Sequence, residues 1–181
     1  MGNTDGNPNE LYLKLFRPLS RERVVLPSGE KVLVPMSTPR FPKWTSAIGP
    51  KPADNYNGKQ FLNVGGEPKF AELAIRKVFE DAGWDAVWVD AFGGFKYRVD
   101  YPDGVVEIPE ACRAIPEVIT RRVGRGGCWD VFAWRGKPDE VVFAESKRRG
   151  SDKLRPTQLR WLQIALEAGM PLEHFLVVEW S

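Results

Sequence analysis

Histidine is nearly absent from this 181-residue chain: His174 stands alone, and only two cysteines, Cys112 and Cys128, accompany it. With one imidazole and no Cys-x-x-Cys pair, a zinc site is not expected. His174 precedes the last apolar run and reads as a residue leading into a strand, not as a catalytic base. The two thiols are able to pair in principle, but the reading is of an intracellular chain that keeps both reduced. Long apolar runs are missing too; none approaches the ~20 residues needed to span a bilayer. The opening MGNTDGNPNELYLKL lacks the basic-then-apolar layout of a secretory signal. The expectation is a soluble, cytoplasmic protein with no membrane partner.

What is present fits a packed globule. Hydrophobic residues make up 43% and tryptophan occurs seven times, which argues against a disordered tail. The length suits one domain with an elaboration and allows a sizeable core. The net charge of +2 hides a polarity along the chain. From Arg121 to Arg160 there are 11 Lys/Arg against 5 Asp/Glu, whereas the remaining residues carry 15 basic and 19 acidic groups.

Residues 1–66 read as an N-terminal extension. Met1 to Asn9 is polar and expected to fray, and Leu11 to Phe16 alternates only weakly. Val24-Val25-Leu26 and Val32-Leu33-Val34 flank Pro27-Ser28-Gly29-Glu30 and predict a β-hairpin. Pro35 to Gly66 is loop-like. Residues 67–181 read as the main domain. Gly66-Glu67-Pro68 predicts a helix start and Gly83 its stop, with Leu73, Ala74, Ile75, Val78, Phe79 and Ala82 as the apolar face. Strands follow over Asp85–Asp90 and Phe95–Val99, around Gly93-Gly94. Pro109 and Pro116 divide Val105–Val123 into one or two short helices. A hairpin from Gly127 to Lys147, a helix from Pro156 to Ala168 and a strand from Phe175 to Glu179 complete an α/β fold with a central mixed sheet flanked by helices.

The chemistry concentrates in WDVFAWRGKPDEVVFAESK. In period-2 geometry Cys128, Asp130, Phe132 and Trp134 share one face, as do Val141, Phe143, Glu145 and Lys147. Arg135-Gly136-Lys137-Pro138-Asp139 has turn composition, so the runs pair and bring two carboxylates and an amine to one end of an apolar surface. Buried together, these charges need neutralising. A divalent cation does so, and hard oxygen donors suit Mg²⁺ or Mn²⁺. The plainer readings are a hydrogen-bonded structural aspartate and a strand-end Glu145–Lys147 ion pair.

An acid on one strand and Glu-x-Lys on the next resembles the PD-(D/E)XK nuclease superfamily. Gly150 to Gln158, running on into Leu159-Arg160-Trp161-Leu162, is similar to its VRR-NUC branch, the virus-type replication-repair nucleases. The resemblance covers about Phe70 to Trp180, and Trp129 stands where the family usually has a proline. It implies a restriction-endonuclease-like core and a Mg²⁺-dependent nuclease cutting DNA, in the preferred version a homodimer acting on junctions or flaps. It also implies Asp130 and Glu145 as metal ligands, the Ser146 backbone carbonyl as a third, and Lys147 as the catalytic cation. Gln158 then serves the active-site water or Lys147. Glu72 matches a family glutamate that reaches the metal directly or through water, although a carboxylate in a first helical turn is favoured by the helix dipole anyway. Trp161 reads as core, while Asp90 has no clear role and Asp139 and Glu140 read as turn residues. The basic residues Arg121, Arg122, Arg125, Arg148, Arg149, Lys153 and Arg155 become a phosphate-binding rim rather than a solubilising face. A catalytically silent nucleic-acid-binding protein, a metal-dependent RNase and a restriction-type enzyme are the alternatives.

Overall fold

The alternating runs around Asp130 and Glu145 lie in the middle of a mixed sheet. The computed structural model describes residues 15–17, 19–56, 58–91, 94–124 and 126–181. The expectations for Met1–Asn9, for the alternation starting at Leu11, and for Gly93 and Arg125 fall outside those residues. The first elements are strands β1 (Leu19–Val25), β2 (Lys31–Ser37), β3 (Leu62–Val64) and β4 (Glu67–Lys69). Helix α1 (Ala71–Asp81), strands β5 (Asp85–Asp90) and β6 (Lys96–Arg98), and helix α2 (Glu110–Val123) follow. Strands β7 (Val131–Arg135) and β8 (Lys137–Arg148), helix α3 (Pro156–Glu167), a 3₁₀ turn (Leu172–His174) and β9 (Phe175–Trp180) close the chain.

Seven strands form one sheet in the order β1-β2-β9-β8-β7-β5-β6. β9 runs parallel to both β2 and β8, and the other pairings are antiparallel. The N-terminal hairpin is thus hydrogen-bonded to the last strand of the chain. Period-2 alternation sorts the sheet into two faces. Phe132, Trp134, Val141, Phe143 and Phe175 pack against Trp161, Leu162 and Ala165 of α3, with Cys112 and Ile119 of α2 in the same cluster. Val131, Ala133, Val142, Ala144 and Leu176 pack against Ile75 and Phe79 of α1. The result is an α/β fold with helices on both faces. Among the described residues no helix is long and apolar enough to cross a membrane.

Four local expectations need correction. Pro68 does not open α1; it sits in β4, which pairs with β3 across Gly65-Gly66. Both glycines have positive φ, 63° and 89°, the requirement of a tight hairpin turn, so the helix begins only at Ala71. The segment expected as loop from Pro35 to Gly66 begins later, because β2 continues to Ser37, and it contains β3. Pro116 does not divide α2: it removes one backbone donor, yet Cys112, Pro116 and Ile119 share a buried i, i+4, i+7 face that holds one continuous helix. The turn between β7 and β8 narrows to Gly136, at φ 67°, and Lys137–Glu140 belongs to β8. Glu140 is therefore a strand residue, paired with Arg135 at 3.0 Å.

Candidate active site

β7 and β8 pair with Val131 opposite Ala144, which sets Asp130 beside Glu145. Asp130 stands just before the first residue of β7 and not within the strand, so its N–H is free to point at a side chain. It donates to Glu145 Oε2 at 3.3 Å, while Ser146 N–H donates to Asp130 Oδ2 at 3.0 Å. Lys147 Nζ donates to Glu145 Oε1 at 2.7 Å. Gln158, buried in the first turn of α3, donates through Nε2 to the same oxygen. Its Oε1 in turn accepts the Arg155 N–H at 2.9 Å, which satisfies one of the helix's orphan donors. The Ser146 hydroxyl points away from this cluster and accepts Trp180 Nε1–H at 2.9 Å. α3 approaches closely because Gly127, at φ 90°, lies against the Thr157 carbonyl, where a Cβ would collide.

These groups line a cleft of about 630 Å³. Glu72, from the first turn of α1, lines it too, but its carboxylate is held by Lys59. Burial above all, then repulsion from Glu72, holds the Asp130 carboxyl above its ordinary range; Lys59 and Lys147 oppose the shift. Burial, then Asp130, pushes Glu145 well above the usual carboxylate value despite Lys147. The Cys128 thiol, also on the lining, is buried, and desolvation pushes it up strongly, which favours the protonated form. Both cysteines are free.

Sequence reasoning thus finds Asp130, Glu145, Ser146, Lys147, Gln158 and Glu72 around one cleft. Of the expected basic rim, Arg148 and Arg155 also line it. Arg149 answers Glu179 at 3.5 Å, Arg121 answers Glu117 at 3.3 Å and Arg122 answers Glu167 at 3.7 Å, while Lys153 is exposed outside the lining. Exposed pairs of this kind contribute roughly 0–1 kcal/mol, so these arginines are only weakly held. Trp161 is core, edge-on to Phe143 and Phe175. His174 ends the 3₁₀ turn and leads into β9.

Two groups of cleft residues escaped the sequence. Lys59 reaches in from the long segment between β2 and β3. Asp90, at the end of β5, is buried and accepts the Tyr56 hydroxyl at 2.5 Å and Arg98 Nε at 2.8 Å. An acid closing an apolar strand, with an arginine on the following one, was the available signal for the second group. Lys59 had none.

The donor set fits a hard divalent cation. Two facing carboxyl groups, pre-oriented by main-chain N–H groups, offer hard oxygen donors of the kind that suits Mg²⁺. Among the described residues no group of three or more His, Cys, Asp or Glu side chains is placed to hold a metal ion, and Glu72 is paired with Lys59. No family model matches the chain, and neither does any curated protein or solved structure.

Proposed function

We propose that the protein is a metal-dependent nuclease with a PD-(D/E)XK-type core, acting on DNA phosphodiesters. One observation carries the reading: Asp130 and Glu145 face each other in a cleft, with Lys147 on Glu145 and Arg148 and Arg155 on the same lining. Carboxylates beside phosphate-binding cations repel the ligand unless a cation bridges them, which is why this pairing favours chemistry over passive binding.

In this reading Asp130, Glu145 and the Ser146 carbonyl hold Mg²⁺, which Mn²⁺ replaces. When bound, the metal supplies a more acidic water and neutralises charge on the phosphoryl group. The chain's own residues do the rest. Gln158 and Lys147 fix the Glu145 carboxylate from two directions. The Lys147 ammonium orients a water and donates to a phosphate oxygen as negative charge grows there. Arg148 and Arg155 hold neighbouring phosphates and set the strand in the cleft. In-line attack then leaves a 5′-phosphate and a 3′-hydroxyl, as the family resemblance implies.

The test is incubation with labelled single-strand, duplex, flap and four-way-junction DNAs in Mg²⁺, Mn²⁺ or EDTA. Cleavage in either metal that stops in EDTA is expected. Cleavage undiminished by excess chelator, or none of any substrate in either metal, contradicts the reading.

A further inference from the structure

Lys59 has no part in the mechanism above, yet its surroundings are those of a working residue. Its ammonium is paired with Glu72 and lies 5.0 Å from the Trp88 ring centroid, 5.4 Å from Tyr56 and 5.9 Å from Phe70. These rings are fixed in their turn. Phe70 and Trp88 are buried, and Tyr56 is tied to Asp90, which Arg98 also holds. A loop lysine has much rotamer entropy to lose, and three rings and a carboxylate together offset that loss. The side chain is nonetheless 29% exposed, against 7% for Lys147. Lys147 is sunk in the floor of the cleft, whereas Lys59 is open to a ligand. It also lines an adjoining cavity of about 380 Å³, shared with Trp44, Lys51 and Asn55, and so stands on the ridge between two hollows.

Charge explains why a cation belongs there. Glu72, Asp90, Asp130, Glu145 and Asp152 all line the cleft; Arg98 holds Asp90, the Arg148 N–H reaches Asp152, and Lys147 answers Glu145. Lys59 answers Glu72, and its field reaches Asp130 as well. A phosphate entering the cleft meets an ammonium already stripped of much of its water, held by an anion it can replace.

We propose that Lys59 is a second active-site cation, one that exchanges Glu72 for the substrate phosphate flanking the scissile one as the strand passes toward the adjoining cavity. The inference rests on the nuclease reading and assigns part of the substrate site to the segment ahead of the nuclease-like part.

The experiment compares wild type, Lys59→Met, Lys59→Arg and Glu72→Gln, using a labelled DNA duplex for binding across a salt series in EDTA and for cleavage in Mg²⁺. Methionine keeps the stem among the rings and removes the charge. The slope of log affinity against log salt should fall by about 0.9 in Lys59→Met, the loss of one phosphate contact on duplex DNA, with a raised KM; arginine should restore both. Glu72→Gln keeps Lys59 and gives an independent measurement: the released ammonium should bind the duplex more tightly in EDTA. An unchanged slope and KM in folded Lys59→Met overturns the inference. If that variant does not fold, unchanged affinity in Glu72→Gln overturns it instead. Wild type that neither binds nor cleaves DNA sinks the nuclease reading and this inference together. Mg²⁺-dependent cleavage by wild type, combined with an indifferent Lys59, sinks this inference alone.

Discussion

Glu145 Oε2 accepts the backbone N–H of Asp130, and the Asp130 carboxylate accepts the N–H of Ser146, the residue next to Glu145. Each acid is therefore oriented by main chain at or next to the other acid. Little side-chain freedom is left to lose when a ligand arrives, which is the physical content of a preorganised site. The same cross-strapping confines two negative charges where water is scarce, and both carboxyls are consequently held above their ordinary range.

That confinement has a stability consequence with a definite sign. A carboxyl raised in the folded state still holds its proton when the unfolded chain has released it. The native state thus binds more protons from the ordinary carboxylate range up to the raised values, and stability falls as pH climbs through that window. Asp130→Asn removes one of the two charges and keeps an acceptor for Ser146. In EDTA at neutral pH it should melt higher than wild type; a gain of about 1 kcal/mol corresponds to roughly 2–4 °C at this chain length. Cleavage should be lost at the same time. A lower melting temperature in EDTA would mean that Asp130 is a structural acid.

Gln158 grips Glu145 with one end of its amide and the first turn of α3 with the other. Gln158→Ala should raise the Mg²⁺ concentration needed for half-maximal cleavage by about tenfold, the lower end of what loss of a ligand's supporting hydrogen bond does. Gln158→Glu should be worse, because it sets a third carboxylate against Glu145. Titrating the cleavage rate with Mg²⁺ measures both, and an unshifted midpoint in Gln158→Glu would remove Gln158 from the site.

The basic rim divides by geometry. Arg148 and Arg155 line the cleft, whereas Arg121 and Arg122 lie at the far end of α2 beside Glu117 and Glu167. Replacing the first pair by Ala should flatten the salt dependence of duplex binding by about 1.8, two contacts at ~0.9 each. Replacing the second pair should change it less. The reverse ranking would move the nucleic-acid surface to α2.

The hairpin, α3 and the inward-facing Gln158 were legible because they are local: period-2 alternation fixes which residues of β7 and β8 share a face, and Gln158, Trp161, Leu162 and Ala165 follow one helical stripe. Glycine and proline misled where one signal has two meanings. Gly66-Glu67-Pro68 suits a helix start, yet Gly65-Gly66 also suits a hairpin turn, and pairing with Leu62–Val64 decided between them. Contacts between distant segments left no trace at all. Nothing near Lys59 announces Glu72 or the ring of Trp88, and nothing in β2 announces its parallel partner β9. Those depend on how the whole sheet closes, which periodicity does not encode.

The most direct measurement is single-turnover cleavage of DNA by Lys147→Ala at saturating Mg²⁺, with metal and DNA binding followed in parallel. Asp130 and Glu145 remain to hold the metal, and Arg148 and Arg155 remain to hold the strand. The account predicts a folded variant that binds both and cleaves at least ~100-fold more slowly, since the missing ammonium acts where charge develops in the transition state. Near-normal turnover would contradict it and leave Lys147 as no more than the ion-pair partner of Glu145.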